Sequence, residues 1–267
     1  MRKTDKLKWL PMLALLASAF QRFSVSAFAQ DQLFWLNTRW QNPTNVSGAN
    51  TIAEYDAMDY STNAGVATLP NRWPGNPTYS LTNAVTSKFP TTTTNINGFG
   101  ALLFNYTNNT FLSSTPVTST VPYEVMFVVI WDTQTNNNSQ NTYFLDSKNS
   151  GKAASVYRPG ATGPGINANS GSDVFADLTK ITNKPVIFNI VNSNNYVEIY
   201  TNGVLAVSAS PSVNNLDGLT MGSDATLAFA SSLVCTKLYI FGQILTPAQR
   251  ANDVGYLENR YGRWFYP

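Results

Sequence analysis

Histidine is absent from all 267 residues. That absence removes the commonest general base, every serine–histidine triad and every histidine-ligated metal site. Cysteine occurs once, at Cys235, so no intrachain disulfide can form. Its apolar surroundings read as those of a small buried hydrophobe, and cysteine usage leaves the compartment open. Charge is scarce as well: Asp, Glu, Lys and Arg make up 12% of the chain, the net charge is +2, and no basic block follows Lys8. Without clustered Lys and Arg to neutralise phosphates, nucleic acid is excluded as a partner. The gap in chemistry extends to paired carboxylates. A retaining glycosidase needs two of them about 5.5 Å apart, as alternate positions on one strand provide, and no such pattern is present. Glu124 with Asp132 is too widely spaced, Asp173 with Asp177 falls in a loop and at its end, and Glu198 stands alone on its strand, facing solvent. The Gly160 to Gly165 stretch lacks the lysine and following helix of a phosphate-binding loop.

What is present suits a β-domain. Hydrophobic residues reach 43% and aromatic residues 13%, enough for a sizeable core. Asn, Thr and Ser are abundant, so the surface is polar and mostly neutral. The length fits one large sandwich. From Lys184 onward the chain reads as short strands closed by one helix. Pro185 to Val191 is apolar and β-branched, Tyr196 to Thr201 and Val204 to Ser208 alternate around the hairpin signal Asn202-Gly203, and Thr236 to Phe241 is a further strand. Thr246-Pro247-Ala248-Gln249 is a capping box with proline at the first helical position, which starts a helix running to about Tyr261 with Gly262 as its stop. Upstream, Tyr123 to Trp131 is apolar on both alternating faces and predicts a central strand covered on both sides. Asn97-Gly98 marks a tight turn ahead of Ala101 to Asn105. Thr142 to Asp146 and Ala153 to Tyr157 form a strand pair within the loop-rich region Thr133 to Ser172. Ser113 to Val121, rich in Ser, Thr and Pro, reads as a bridge or wide surface loop.

The stretches VIFNIVNSNNYVEIYTNGVLAVSAS and CTKLYIFGQILTPAQRANDVGYLENRYG resemble the C-terminal half of the concanavalin A-like lectin/glucanase superfamily, in its laminin-G-like form. The matching positions are Tyr200 to Val204, Leu245-Thr246, Gly255-Tyr256-Leu257 and Tyr261-Gly262. Phe34 to Trp40, Val66 to Trp73 and Ile96 to Asn105 are similar to the opening strands of such domains. The resemblance implies an all-β, two-sheet antiparallel jelly-roll sandwich with one short C-terminal helix, about 247–261. It says little of activity, because the fold hosts lectins, glycosidases, adhesion modules and viral shell proteins. Calcium is implied by family analogy only. No cofactor is expected, since no Asp-rich loop of the required spacing is present.

The first 29 residues form a separate segment, with 30–267 as a single domain. Arg2, Lys3, Lys6 and Lys8 precede an apolar run from Trp9 to Phe20, and Ala27-Phe28-Ala29 resembles a signal-peptide cleavage pattern before Gln30. Pro11 within the run and Gln21-Arg22 after it suit the alternative, a retained assembly arm. The run is too short to span a bilayer. Asn-x-Ser/Thr triplets at Asn45, Asn105, Asn108 and Asn137 are the chance products of an Asn/Thr/Ser-rich chain.

Binding is left as the main functional expectation. Sugars offer apolar C–H faces edged by hydroxyls, so glycan sites combine an accessible ring with polar groups. The candidates are Trp73 and Tyr79 around the segment PGNPTY, Trp131 with Asp132, and Tyr157 with Arg158. Trp35, Trp40 and Trp264 read as structural. Three functions follow: a non-catalytic lectin-like module, exported or displayed on a surface; a virion decoration or minor capsid protein whose N-terminal arm and Arg263 to Pro267 tail contact neighbouring subunits; and a glucanase-like hydrolase. The missing carboxylate pair places the hydrolase last. The partners expected are a glycan or polysaccharide, or neighbouring subunits of an oligomer. The location is extracellular or at the cell surface if the leader is cleaved, and the virion otherwise.

Overall fold

The computed structural model describes residues 48–96, 98–131, 141–149, 155–158, 165–169, 173–177, 184–210 and 214–261. The chain divides into two units, residues 1–44 and 45–267, and every described residue belongs to the second. The expected leader or arm, the boundary after residue 29 and the Arg263 to Pro267 tail lie outside the described residues.

Seventeen strands and one α-helix follow one another among the described residues: β1 (Thr51–Asp56), β2 (Ser61–Asn63), β3 (Val66–Leu69), β4 (Leu81–Asn83), β5 (Thr91–Ile96), β6 (Phe99–Phe104), β7 (Leu112–Ser119), β8 (Tyr123–Trp131), β9 (Thr142–Asp146), β10 (Ser155–Arg158), β11 (Gly165–Asn169), β12 (Asp173–Asp177), β13 (Pro185–Asn192), β14 (Val197–Thr201), β15 (Val204–Ala209), β16 (Leu216–Met221), β17 (Leu233–Phe241) and α1 (Pro247–Tyr261). The first sheet has the order β15-β14-β13-β8-β17-β6-β5, with β1 pairing with β17 beside β6. The second runs β12-β11-β10-β9-β16-β7-β4-β3-β2. Neighbouring strands are antiparallel throughout, and the expected two-sheet sandwich with a late helix is the fold observed.

Side-chain alternation divides the apolar residues between two cores. Val125, Phe127 and Val129 of β8, with Leu238 and Ile240 of β17, face Leu112, Phe144, Leu219 and Met221 of the second sheet. Phe127 contacts Phe144 and Phe188 at ring-centroid distances of 4.8 and 5.3 Å. The intervening residues Met126, Val128, Tyr239 and Phe241 point to the outer side and meet Val254, Leu257 and Tyr261 of α1. β8 therefore needs apolar residues at successive positions, as its sequence shows.

The helix begins as the capping box predicts. Thr246 Oγ1 accepts from the Gln249 amide at 3.3 Å, and Gln249 Oε1 accepts from the Thr246 amide at 2.9 Å. Two buried ion pairs hold its ends. Near the start, Arg250 donates from Nε and Nη2 to the two oxygens of Glu124, each at 2.9 Å, and near the end Arg260 Nη2 donates to Asp56 at 3.2 Å. The hairpin joining β14 to β15 turns through Asn202 and Gly203, with φ of 48° and 78°, the left-handed pair that Asn-Gly adopts readily.

Three sequence expectations change. Ser113 to Val121 is not a loop: β7 pairs with β16, and Leu112, Ser114 and Val117 are buried. Pro116 is tolerated because the register shifts there, opposite Gly218, so no ladder N–H is demanded of it. Asp173 and Asp177 are the two ends of β12 and not loop residues. β17 also starts three residues before Thr236, where a bulge interrupts its pairing with β8.

Glu124 is fully buried, so its removal leaves Arg250 without a counter-charge. Glu124→Ala is expected to lower the unfolding free energy by about 3–5 kcal/mol, measured by urea denaturation with far-UV circular dichroism.

Candidate ligand-binding loop

Between β3 and β4 the chain makes an eleven-residue excursion, Pro70 to Ser80, fixed by its own polar side chains. Asn71 is the organiser. Its Oδ1 accepts from the amides of Glu54 at 2.8 Å and Trp73 at 3.1 Å, while its Nδ2 donates to the Asn76 carbonyl at 2.8 Å. Asn76 Nδ2 reaches the Ile52 carbonyl at 3.0 Å, and the Arg72 amide donates to the Glu54 carbonyl at 2.8 Å. Asparagine suits this work because one short side chain supplies both donor and acceptor to a turning backbone. The loop is tied to the β1 strand at Ile52 and Glu54.

Arg72 adds an electrostatic clamp. Its Nη1 donates to Asp56 at 2.8 Å, its Nη2 to Asp59 at 2.8 Å, and its Nε pairs with Asp59 as well. Asp56 also receives Lys237 Nζ at 3.1 Å and Arg260 Nη2 at 3.2 Å, and its other oxygen accepts from the Met58 amide at 3.0 Å. Lys237 pairs with Glu54 in addition. Burial would raise the Asp56 carboxyl, yet Lys237, Arg72, Arg260 and the Met58 amide together hold it below the usual carboxylate range. The guanidinium of Arg72 is thereby neutralised within the fold.

On this frame sit two of the predicted rings. Trp73 is half-buried, with Gly48 and Gly75 against the indole; a Cβ added at either would lie 3.6 and 3.2 Å from it. Tyr79, also half-buried, packs on the main core, and its carbonyl accepts from Tyr55 Oη at 2.6 Å. Pro74, Gly75, Pro77 and Thr78 between them are exposed. The arrangement offers part of an indole face beside hydroxyl and amide groups on a preorganised loop. Stacking and hydrogen bonding are what it can perform.

The other predicted residues lie elsewhere. The loop adjoins the Glu124 end of the first sheet, through the pairing of β1 with β17 and β17 with β8. Trp131 closes the opposite end of β8, seven residues or about 23 Å of strand away. It is half-buried, edge-on to Phe144 with centroids 6.1 Å apart. Tyr157 is buried: it is the cross-strand partner of Tyr143, and the two rings stack at 4.7 Å. It offers no open face. Arg158 ends β10 opposite Thr142, and Asp132 lies outside the described residues. The described candidates are thus not one constellation.

The carboxylates also separate from chemistry. Glu124, the first half of the widest candidate pair, is saturated by Arg250, by Asn189 Nδ2 at 2.7 Å and by the Leu245 amide at 3.0 Å. Asp173 and Asp177 stand four residues apart on β12, about 13 Å of strand, well beyond a retaining pair. Glu198 is half-buried and accepts from Tyr200 Oη at 2.7 Å. Among the described residues no group of three or more acidic or cysteine side chains is placed to hold a metal ion. Cys235 is buried, and burial pushes its thiol far above its usual range. No described helix is long and apolar enough to cross a membrane. Sequence reasoning missed the anchoring residues Asn71, Asn76 and Arg72; the spacing N-R-W-P-G-N, amides bracketing a Pro-Gly turn, was the available signal.

The chain matches no protein-family profile and no curated protein sequence. Its fold is similar to solved binding domains, among them receptor-binding domains of botulinum neurotoxins. The binding domain of Paraclostridial Mosquitocidal Protein 1 superposes with a TM-score of 0.60 at 11% identity over 79% of this chain. The botulinum neurotoxin type G receptor binding domain gives 0.52 at 14% identity over 78%. The serotype D ligand binding domain in complex with N-acetylneuraminic acid gives 0.56 at 13% over 79%. This chain spans about half the length of each, 53%, 51% and 51% respectively. The superpositions show a shared β-sandwich fold, and at this identity they show the fold alone.

Because Asp56 titrates below the unfolded value of about 3.9, its contribution is complete well above that pH and is lost as pH falls from there through the lower folded-state value. The chain should lose stability progressively below about pH 4. Asp56→Asn should be less stable at pH 7 and show a shallower acid limb, read from denaturation midpoints between pH 7 and 2.5.

Proposed function

We propose that this chain is a non-catalytic, lectin-like module of concanavalin A-like architecture that binds a glycan through the Pro70 to Ser80 loop, with Trp73 as its stacking platform and Tyr79 at its flank. The observation that carries the reading is the Trp73 indole, half-buried on a loop whose exposed tip is held by Asn71, Asn76 and Arg72. A fixed ring loses little conformational entropy on binding, so its stacking energy appears as affinity. Two further facts support it. Among the described residues, the buried carboxylates Glu54, Asp56 and Glu124 are held by structural cations and Asp224 by backbone amides, so none of these four is free for the acid–base work of a hydrolase. A domain of the same fold has been solved with N-acetylneuraminic acid bound, and sandwiches of this kind serve as receptor-binding domains in the toxins. Export or surface display accords with such a role.

Binding to immobilised glycans and polysaccharides, followed by calorimetry on the best ligand, tests the proposal. Trp73→Ala is expected to weaken binding by at least about tenfold while the melting temperature stays within a few degrees, because the ring is only half-buried. Unchanged affinity in Trp73→Ala would remove this loop from the site. Absence of binding across a broad panel would end the lectin reading.

A further inference from the structure

The ion pairs beside the Trp73 loop close on themselves. Three carboxylates, Glu54, Asp56 and Asp59, meet three cations, Arg72, Lys237 and Arg260, so the network carries no net charge. Burial withholds two of these cations from a ligand: the side chains of Lys237 and Arg260 are 1% and 13% exposed. Arg72 differs. Its side chain is 33% exposed, and it directly precedes Trp73, which makes it the most open of the three and the nearest in sequence to the indole. Asp59, itself half-buried, receives both Nε and Nη2 of Arg72, and Asp56 receives Nη1. The Nε–Nη2 edge is one on which an arginine takes a planar carboxylate through two parallel hydrogen bonds, so Asp59 fills it as an acidic ligand would. The turn that presents Asp59 is fixed in its turn by Asp56, whose Oδ1 accepts from the Met58 amide at 3.0 Å, and by the Tyr60 amide, which donates to the Ala57 carbonyl at 3.3 Å. One buried carboxylate thus holds Arg72 and shapes the turn that brings Asp59 to the same guanidinium.

We infer that Asp59 sets the class of glycan this loop accepts, uncharged saccharides over those that carry a carboxylate, by keeping the Arg72 fork filled from within the chain. The inference rests on the reading of Pro70 to Ser80 as a glycan site and adds a charge selectivity to it. An acidic sugar gains from an arginine by occupying an edge of its fork. At this loop it has to displace Asp59 to do so, and the displaced carboxylate then stands without a counter-charge beside a second anion. An acidic sugar that leaves the pair intact meets the partly exposed Asp59 as a like charge, with the arginine already neutralised. An uncharged sugar incurs neither cost. Its hydroxyls ask for hydrogen bonds, its C–H face asks for the indole, and the Asp59 pair interferes with neither. Selectivity of this kind comes from a repulsive element built into the site, not from an added attraction to the favoured ligand.

Calorimetry of the full chain with saccharides paired by the presence of a carboxylate tests this: lactose against sialyllactose, dextran against carboxymethyl-dextran, and galactan against polygalacturonate. In each pair that binds, the neutral member is expected to bind the more tightly, with an affinity that stays level as salt rises from about 0.05 to 0.5 M. Asp59→Asn, which keeps the shape of the side chain and releases the charge of Arg72, should raise the acidic-to-neutral affinity ratio by about three- to fivefold, the upper range of an exposed ion pair. That gain should shrink over the same rise in salt. Adding Trp73→Ala to Asp59→Asn should weaken both members of a pair; acidic binding that survives the double substitution overturns the inference, since the released cation would then act outside this loop. Preference of the unaltered chain for the acidic members overturns it too and leaves the glycan reading standing, and so does an Asp59→Asn ratio that does not move. Binding of no member by either protein ends the glycan reading and this inference with it. Far-UV circular dichroism and melting temperature establish that Asp59→Asn is folded, and a poorly folded Asp59→Asn is replaced by Asp59→Ser with the same expectation.

Discussion

A single carboxylate under the helix sets the order of the rest. Glu124 sits in the middle sheet on a strand whose other outward residues are apolar, and alone it would be an expensive charge to bury. Its two oxygens instead receive both arms of the Arg250 fork, the Asn189 amide and the Leu245 backbone. Four donors from three elements converge on one group. This fixes the entry of α1 against β8 and β13, and with Arg260 on Asp56 at the far end the helix is held in place along the outer face. An apolar contact between α1 and the sheet would stabilise as well, but hydrophobic packing is non-directional and would tolerate sliding. The ion pairs do not.

The same arrangement gathers a share of a charge-poor chain's charges in one region. Eight of its ionisable side chains, Glu54, Asp56, Asp59, Arg72, Glu124, Lys237, Arg250 and Arg260, are committed to ion pairs on or around one sheet face. What is left for the surface is mainly Asn, Ser and Thr. Such a surface offers hydrogen-bonding groups and rings in place of strong fields.

Much of the fold was legible because its signals are local. The capping box at Thr246, the Asn202-Gly203 turn and the double-faced apolar run of β8 each encode a structure within a few residues. β7 was not legible, since its Ser/Thr/Pro composition reads as loop until β16 supplies the partner and the bulge that accommodates Pro116. The candidate site was legible only in part. Trp73 and Tyr79 declared themselves by their Pro/Gly surroundings, but the partners that hold their loop, Ile52, Glu54 and Asp56, come from a strand earlier in the chain and meet it only in three dimensions. Tyr157 failed as a candidate for the complementary reason. Cross-strand pairing with Tyr143 buries it, and a single sequence does not reveal which two strands become neighbours.

The placement of Glu124 and Asp56 has a consequence for where function can reside. The outer face of the first sheet, which an uncovered sandwich would offer as a binding surface, is occupied by α1 and pinned there at both ends. The interior between the sheets is filled by aromatic and aliphatic side chains. Loops and edges remain. At the loop beside β1, the cations that would recognise an anionic ligand are already neutralised by Asp56 and Asp59, so selectivity there has to come from shape and stacking. The ion pairs at Asp56 and Glu124 thus limit the chemistry that the loop surface retains.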